Sequence, residues 1–156
     1  SMFPTLILPE VTPETHGYME SGWCFCEYTI ATLGKQLSQF SLDASRALDR
    51  APGRPSLTEG CDLDDIIATT EAELGQKQFH FSTDADAVMD IIKAFAYKRM
   101  LLDAIERQDT ETLRSVVARL QAHQLLQSTL DQPVNQALDT PLHLAVRRGS
   151  AAATRI

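Results

Sequence analysis

The chain lacks the features that mark membrane-spanning, secreted and nucleic-acid-binding proteins. No apolar run approaches the roughly 20 residues that a membrane helix needs. Lys and Arg number 14 against 21 Asp and Glu, and the net charge of -7 disfavours contact with the phosphates of nucleic acid or anionic lipid. The first ten residues have neither the basic segment nor the apolar length of a secretion signal. We therefore expect a cytoplasmic protein with no membrane or nucleic-acid partner.

Cysteine is scarce, and the three present are an odd number, which predicts free thiols in a reducing compartment. Cys24 and Cys26 are one residue apart, closer than paired zinc ligands usually are, so a zinc site with His16 and His80 is not expected. No Gly-rich phosphate loop accompanies the acidic clusters of the chain, so no magnesium site is expected at Asp62, Asp64 and Asp65 or at Asp84, Asp86 and Asp90. The prediction is a chain without metal or cofactor.

The N-terminal half predicts one strand and two helices. The run Phe3–Leu8 has a continuously apolar centre, which favours a short strand buried on both faces. A helix is expected from Gly22 to about Gln39, and a second over residues 62–75. Between them, Ser41–Leu57 contains APGRP, which no helix tolerates, and is expected to be a linker.

The second half carries clearer helix signals. Thr83, followed three residues later by Asp86, indicates a capping box and the start of a helix that continues to Arg107. The apolar positions expected to face the core of this helix are Val88, Ile91, Ile92, Phe95, Leu102 and Ile105. Asp109 or Thr110 is expected to cap the next helix, which ends between residues 120 and 127 and buries Leu113, Val116, Val117 and Leu120.

Near the end of the chain stands DTPLHLAVRRG. Thr140 precedes Pro141, which occupies the first helical turn, where a missing N–H costs nothing. Gly149 is suited to the left-handed residue that ends a helix. The stretch Thr140–Gly149 resembles the TPLHLA core of the ankyrin repeat.

The ankyrin resemblance implies a role for each matched residue. Leu142, Leu144 and Ala145 would pack between helices, where only a small side chain fits at Ala145. His143 would be structural, with its imidazole hydrogen-bonded to Thr140 and to the adjacent repeat.

A degenerate repeat is expected to precede this one, from about Lys98. Placing LLDAIERQD over LHLAVRRGS aligns Ala104 with Ala145, an offset of 145 minus 104, or 41 residues. The family period is about 33, and an insertion near Gln124–Pro133 would absorb the difference. Gln108 then stands where the family has Gly, at a cost of about 1 kcal/mol.

Another departure from the family pattern is Leu138, which replaces the Gly of the turn before the last repeat. Such departures fit a first, capping-type repeat that adjoins another domain.

Together these patterns predict a mostly α fold with a small α/β N-terminal piece. Residues 1–96 would form that piece, and residues 97–156 the start of an incomplete ankyrin array, the chain being a fragment of a longer protein. The expected function is protein binding as part of an intracellular scaffold. Contacts are expected at loop tips such as Gln132–Leu138 and at Arg147 and Arg148; the alternative interpretation of these arginines is solvated surface.

A second resemblance concerns ESGWCFCEYTIATLGK, within Pro4–Lys35. A strand followed by a small residue and Trp-Cys-x-x-Glu is similar to a segment of TIR domains, here Trp23, Cys24 and Glu27. In NAD-cleaving members the Glu is the catalytic carboxylate, so the resemblance implies that Glu27 acts on NAD as substrate and that Trp23 contacts it. The alternative interpretation makes Trp23 a core aromatic and Glu27 an acid in the first helical turn.

Overall fold

The computed structural model describes residues 5–9, 11–12, 14–34, 36–40, 63–135 and 137–156, with the backbone only at residues 38–40 and 63. This part of the chain is mostly helical, which confirms the predicted helical class. None of its helices is both long enough and apolar enough to cross a bilayer. Its elements are β1 (Thr5–Ile7), a 3-10 turn (Tyr18–Glu20), α1 (Gly22–Leu33), β2 (Leu37–Phe40), α2 (Leu63–Leu74), α3 (Asp84–Arg107), α4 (Thr110–Ala122), α5 (Leu126–Asp131), α6 (Pro141–Arg147) and α7 (Ala151–Arg155).

The chain divides into two compact units. The N-terminal unit extends to Lys93, and the C-terminal unit comprises Ala94–Ile156. The division falls within α3, three residues before the boundary that the sequence suggests at residue 96. The predicted linker Ser41–Leu57 and the predicted helix start at Asp62 lie outside the described residues.

The N-terminal unit contains a small β–α–β arrangement. β1 and β2 pair in parallel, with Thr5 opposite Leu37 and Ile7 opposite Phe40. α1 supplies the crossover that a parallel pair requires. The predicted helix from Gly22 to about Gln39 is confirmed as far as Leu33 and is wrong in its last six residues, because residues 37–40 form hydrogen bonds with β1 and this pairing outweighs their helix propensity.

The burial of β1 also differs from the prediction. Ile7 is buried, whereas Leu6 and Leu8 are each about half exposed in the described part of the chain. The continuous apolar run therefore alternates between a covered and an open face, because successive side chains of a strand point to opposite sides. Ile7 packs with Tyr28 and Ala31 of α1 in a small core cluster.

The start of α1 is fixed by the segment that follows α2. The Gly22 N–H donates to the Gln78 carbonyl at 2.9 Å, and the Gln78 N–H donates to the Glu20 carbonyl at 2.7 Å. The ring of Phe79 lies so close to Gly22 that a Cβ there would sit 1.9 Å from its nearest carbon. Gly22 is therefore required because only a residue without a Cβ allows the Phe79 ring to approach so closely.

Two further helix predictions agree with the structure. α2 ends at Leu74, directly before Gly75, and α3 begins at Asp84, directly after Thr83. Of the apolar positions predicted to face the core in α3, Val88 and Ile92 are buried, but Ile91 is exposed.

The C-terminal unit is a series of short helices joined by tight turns. Asp109 caps α4, since its carboxylate accepts hydrogen bonds from the Thr112 N–H at 3.0 Å and the Thr112 hydroxyl at 2.6 Å. These bonds to the ionised form lower the pKa of Asp109. α4 ends at Ala122, within the predicted interval, and α5 occupies the insertion for which the sequence predicted no element.

Candidate functional site

The TPLH segment adopts the local geometry expected for it. Pro141 begins α6 and is buried. The Thr140 N–H donates to Nδ1 of His143 at 3.1 Å, and the Thr140 hydroxyl lies 3.0 Å from the same nitrogen. The predicted bond between His143 and Thr140 is therefore present, and it fixes the start of the helix.

The predicted packing of this helix is only partly observed. Ala145 is buried, and Leu144 is half buried. Leu142 is 53% exposed, so its predicted position between helices is wrong for the described part of the chain. It lines a cavity of about 280 Å³, together with Ala145 and Ile156.

The turn between α6 and α7 has the same hydrogen bonds as the turn between α3 and α4, which lies 41 residues earlier. The Asp109 N–H donates to the Ala104 carbonyl at 3.0 Å, and the Ser150 N–H donates to the Ala145 carbonyl at 3.3 Å. The left-handed residue has φ 57° at Gln108 and φ 67° at Gly149. The following helix is capped in the same way, because Asp109 accepts from the N–H of Thr112 and Ser150 accepts from that of Ala153. Two helical hairpins therefore share one local design.

Three residues other than Gly adopt left-handed backbone in the described part of the chain: Gln108 (φ 57°), Gln124 (φ 58°) and Leu138 (φ 60°). Gln108 and Gln124 each end a helix, where this conformation closes the turn. Leu138 ends no helix, and its side chain is 71% exposed. A branched apolar residue in that conformation costs on the order of 1 kcal/mol, so Leu138 bears both strain and exposure.

The turn that carries Leu138, here called the tip turn (residues 134–135 and 137–139), is held by a compact polar network. The Val134 N–H donates to the Asp139 carbonyl at 2.8 Å. Asn135 donates from Nδ2 to the Asp139 carboxylate at 2.9 Å and accepts from the Asp139 N–H at 3.0 Å. The Asp139 side chain is buried and lies 2.9 Å from the Arg147 guanidinium. The tip turn is therefore preorganised.

The two predicted binding arginines have different surroundings. Arg147 forms the ion pair with Asp139 and supports the tip turn from α6. The side chain of Arg148 is exposed, while its carbonyl accepts a long hydrogen bond of 3.4 Å from Nε2 of Gln108.

Glu27 lies in the second turn of α1, not in the first as one interpretation of the sequence held. Its carboxylate accepts a hydrogen bond from the Tyr18 hydroxyl at 3.1 Å. Both residues line an open cavity of about 590 Å³ beside β1. Burial and the Glu27 carboxylate raise the pKa of Tyr18, so the phenol stays a donor.

Trp23 is exposed, so its interpretation as a core aromatic is wrong. Its indole N–H donates to the Asp84 carboxylate at 3.1 Å, which joins the starts of α1 and α3. Trp23 does not line the cavity that Glu27 lines. Of the two residues that the resemblance assigns to NAD, only Glu27 therefore lines this cavity.

The cysteines near Glu27 have different degrees of burial. Cys24 is half buried, and Cys26 is buried. Burial, and then the neighbouring Glu27 carboxylate, raises the pKa of Cys26 to about 11. Among the described residues, no three His, Cys, Asp or Glu side chains lie together as a metal site would require.

Comparisons with known proteins leave the site to be interpreted from its own geometry. No protein-family model, curated protein or solved structure matches this chain.

Proposed function

We propose that the C-terminal unit is a protein-binding module built from ankyrin-like helical hairpins. Its binding surface would be formed by the tip turn and by Arg148. Support comes from the shared hydrogen-bond pattern at Ala104–Asp109 and Ala145–Ser150, which gives rigid hairpins joined by fixed turns. A rigid scaffold loses little conformational freedom when a partner binds to its loops.

The observation that carries the proposal is that Leu138 has both an exposed side chain and a left-handed backbone conformation. Its side chain is 71% exposed, and its φ of 60° is one that Gly would adopt without strain. Folding of the C-terminal unit thus derives no benefit from a leucine at this position. An exposed apolar side chain on a preorganised turn is suited to insertion into a pocket of a partner protein.

The two arginines take separate roles in this proposal. Arg147 supports the tip turn through its ion pair with buried Asp139. Arg148 has an exposed side chain on the same helix end, so it is the arginine that would contact a partner. Guanidinium groups bind carboxylates in two-pronged geometry, which favours a partner that presents an acidic group as well as an apolar pocket.

The test is quantitative capture of proteins from an extract of the source cells, read by cross-linking and mass spectrometry. Leu138→Gly and Arg148→Ala are each expected to reduce capture of the same partner roughly fivefold or more. The matched control is Gln124→Gly, which also replaces a left-handed residue but lies outside the tip turn. Unchanged capture by both the Leu138 and the Arg148 variants would refute the proposal.

The stability of the same variants separates binding from folding. Leu138→Gly should leave the free energy of unfolding unchanged or raise it by up to about 1 kcal/mol, because relief of strain is offset by the greater freedom of Gly in the unfolded chain. A variant that loses its partner while retaining its stability identifies Leu138 as a contact residue.

A second candidate function is cleavage of NAD with Glu27 as the catalytic carboxylate. The observation that favours it is the position of Glu27 and Tyr18 on the wall of the cavity of about 590 Å³. The chain would be incubated with NAD and assayed for nicotinamide, with Glu27→Gln as the test variant and Glu14→Gln as the control. Release of nicotinamide that Glu27→Gln abolishes would support this function. No release by the unaltered chain, or equal release by Glu27→Gln and Glu14→Gln, would refute it.

A further inference from the structure

The C-terminal unit contains a cavity of about 280 Å³ between its helices. Side chains from α3, α4, α5, α6 and α7 line it. Part of its wall is aliphatic and buried, and this part includes Leu101, Ile105, Leu113 and Ala145. The cavity is also partly open to solvent, so a small molecule can reach it while the unit stays folded.

Polar groups are few in this cavity. Among the described residues that line it, only Asp131, Thr140 and Thr154 have polar side chains. The Thr140 hydroxyl lies 3.0 Å from Nδ1 of His143. The Thr154 hydroxyl donates to the Ser150 carbonyl at 2.8 Å. A water molecule needs two to four polar partners to be held in a cavity, and the aliphatic wall offers none, so an apolar group can displace water from it.

Asp131 has the only ionisable side chain among the described residues that line the cavity. It is exposed and is the last residue of α5, where the partial negative charge of the helix end disfavours a carboxylate. No described residue pairs with this carboxylate. Lys98 instead donates to the side chain of the neighbouring Gln132 at 3.1 Å. The carboxylate therefore has no stabilising role in the described part of the chain, and it is available to a bound molecule.

We infer that the cavity binds a small amphiphile, whose aliphatic body fills the apolar part and whose positively charged amine contacts Asp131. An engineered cavity of about 150 Å³ holds one benzene ring, so this larger cavity accepts a body of roughly six to ten carbon atoms. An anionic head group would be repelled by Asp131 and by the net charge of -7. The inference goes beyond the proposed protein binding, because neither Arg148 nor a described residue of the tip turn lines the cavity.

The experiment measures the binding of straight-chain probes to the whole chain by isothermal titration calorimetry, at low salt and below the concentrations at which the probes form micelles. Octylamine is expected to bind about fivefold more tightly than octanoate, because only the ammonium is attracted to Asp131. Hexylamine is expected to bind roughly tenfold more weakly than octylamine, because two fewer methylene groups are buried.

Two alanines of α7 provide a matched pair of variants. Ala153 lines the cavity, whereas Ala152 is exposed and does not line it. Ala153→Leu is expected to fill part of the cavity and to weaken octylamine binding roughly tenfold or more, while the urea midpoint of the chain alone stays the same or rises. Ala152→Leu should leave the affinity for octylamine unchanged.

A further variant tests the head group without altering the apolar wall. Asp131→Asn should abolish the preference for octylamine over octanoate, while octylamine still binds more tightly than hexylamine. Because Asp131 is exposed and unpaired, this variant is expected to fold normally and keeps the test decisive if Ala153→Leu lowers the urea midpoint.

The inference is overturned if octylamine does not bind, or if Ala152→Leu weakens its binding as much as Ala153→Leu does. It is also overturned if octanoate binds the unaltered chain as tightly as octylamine, since Asp131 then selects no head group. Sedimentation that shows a dimer which Ala153→Leu dissociates would overturn it as well, because an apolar side chain of a second copy would then fill the cavity. None of these results affects the capture experiments at Leu138 and Arg148, which decide the proposed function separately.

Discussion

Replacing Arg147 with Ala should destabilise the C-terminal unit, although the side chain lies on the surface. The guanidinium of Arg147 is 2.9 Å from the Asp139 carboxylate, which is buried and otherwise accepts a hydrogen bond from Asn135. The substitution would leave a buried carboxylate with fewer partners, and it would loosen the turn that this carboxylate organises.

The expected magnitude follows from the burial of the two partners. Removing one member of a fully buried ion pair costs about 3–5 kcal/mol, and exposed pairs are worth about 0–1 kcal/mol. The Asp139 side chain is 7% exposed but that of Arg147 is 64% exposed, so water can replace part of the lost interaction. We expect Arg147→Ala to lower the free energy of unfolding by about 1–2 kcal/mol.

The assay is urea denaturation followed by circular dichroism, with Arg148→Ala as the matched control. Arg148 is the next residue and equally charged, but its side chain is exposed. Its removal should change the free energy of unfolding by less than about 0.5 kcal/mol. Equal effects of the two substitutions would show that the Asp139 ion pair does not stabilise the unit.

Three further predictions concern single positions. Gly22→Ala should cost about 1–3 kcal/mol, because the Phe79 ring must move to admit a Cβ; urea denaturation should show almost no such loss for Gly75→Ala, whose added Cβ meets only ordinary contacts beyond 3.5 Å. Gly149→Ala should cost about 1 kcal/mol in the same assay, because φ is 67° there while no atom lies within 4 Å of the added Cβ. Burial raises the pKa of Cys26 to about 11 in the folded chain. The contribution of this thiol to the free energy of unfolding is therefore complete below the ordinary thiol pKa of about 8.5 and is lost as the pH rises through 11. A fall in the urea midpoint over this pH range that Cys26→Ala does not reduce would contradict this prediction.

Local chemistry made much of the C-terminal unit predictable. The start of α4 follows from a side chain that accepts from a backbone N–H three residues later, so the pair Asp109 and Thr110 indicates it and the structure selects Asp109. The left-handed turn at Gly149 and its counterpart at Gln108 follow from the offset between two similar stretches. Such features depend on residues that are close in the sequence, so a single amino-acid sequence is enough to predict them.

What the sequence could not disclose depends on distant partners. Residues 37–40 have ordinary helix formers among them and become β2 only because β1 offers an edge. Leu142 carries no sign of its exposure, since the same residue type is buried 41 positions earlier at Leu101. The burial of a side chain depends on which distant residues pack against it, and the local sequence pattern does not contain that information.

The sequence predicts where the candidate surface lies along the chain, but not the role of each residue in it. The sequence predicts contacts at Gln132–Leu138, a range that overlaps the tip turn, but the different roles of Arg147 and Arg148 follow only from the position of Asp139. Glu27 and Trp23 were linked by a motif, whereas the structure gives each a different hydrogen-bond partner, Tyr18 and Asp84 respectively.

The parallel pairing of β1 with β2 also has a kinetic consequence. Thr5 meets Leu37 only after the whole intervening segment has been brought round, so the loop-closure entropy is lost before the strand contacts form. The turns of the C-terminal unit instead close over five residues or fewer, as between Asp109 and Ala104. During refolding, the hairpins should therefore acquire native structure first, and the strand pair should set the slowest step.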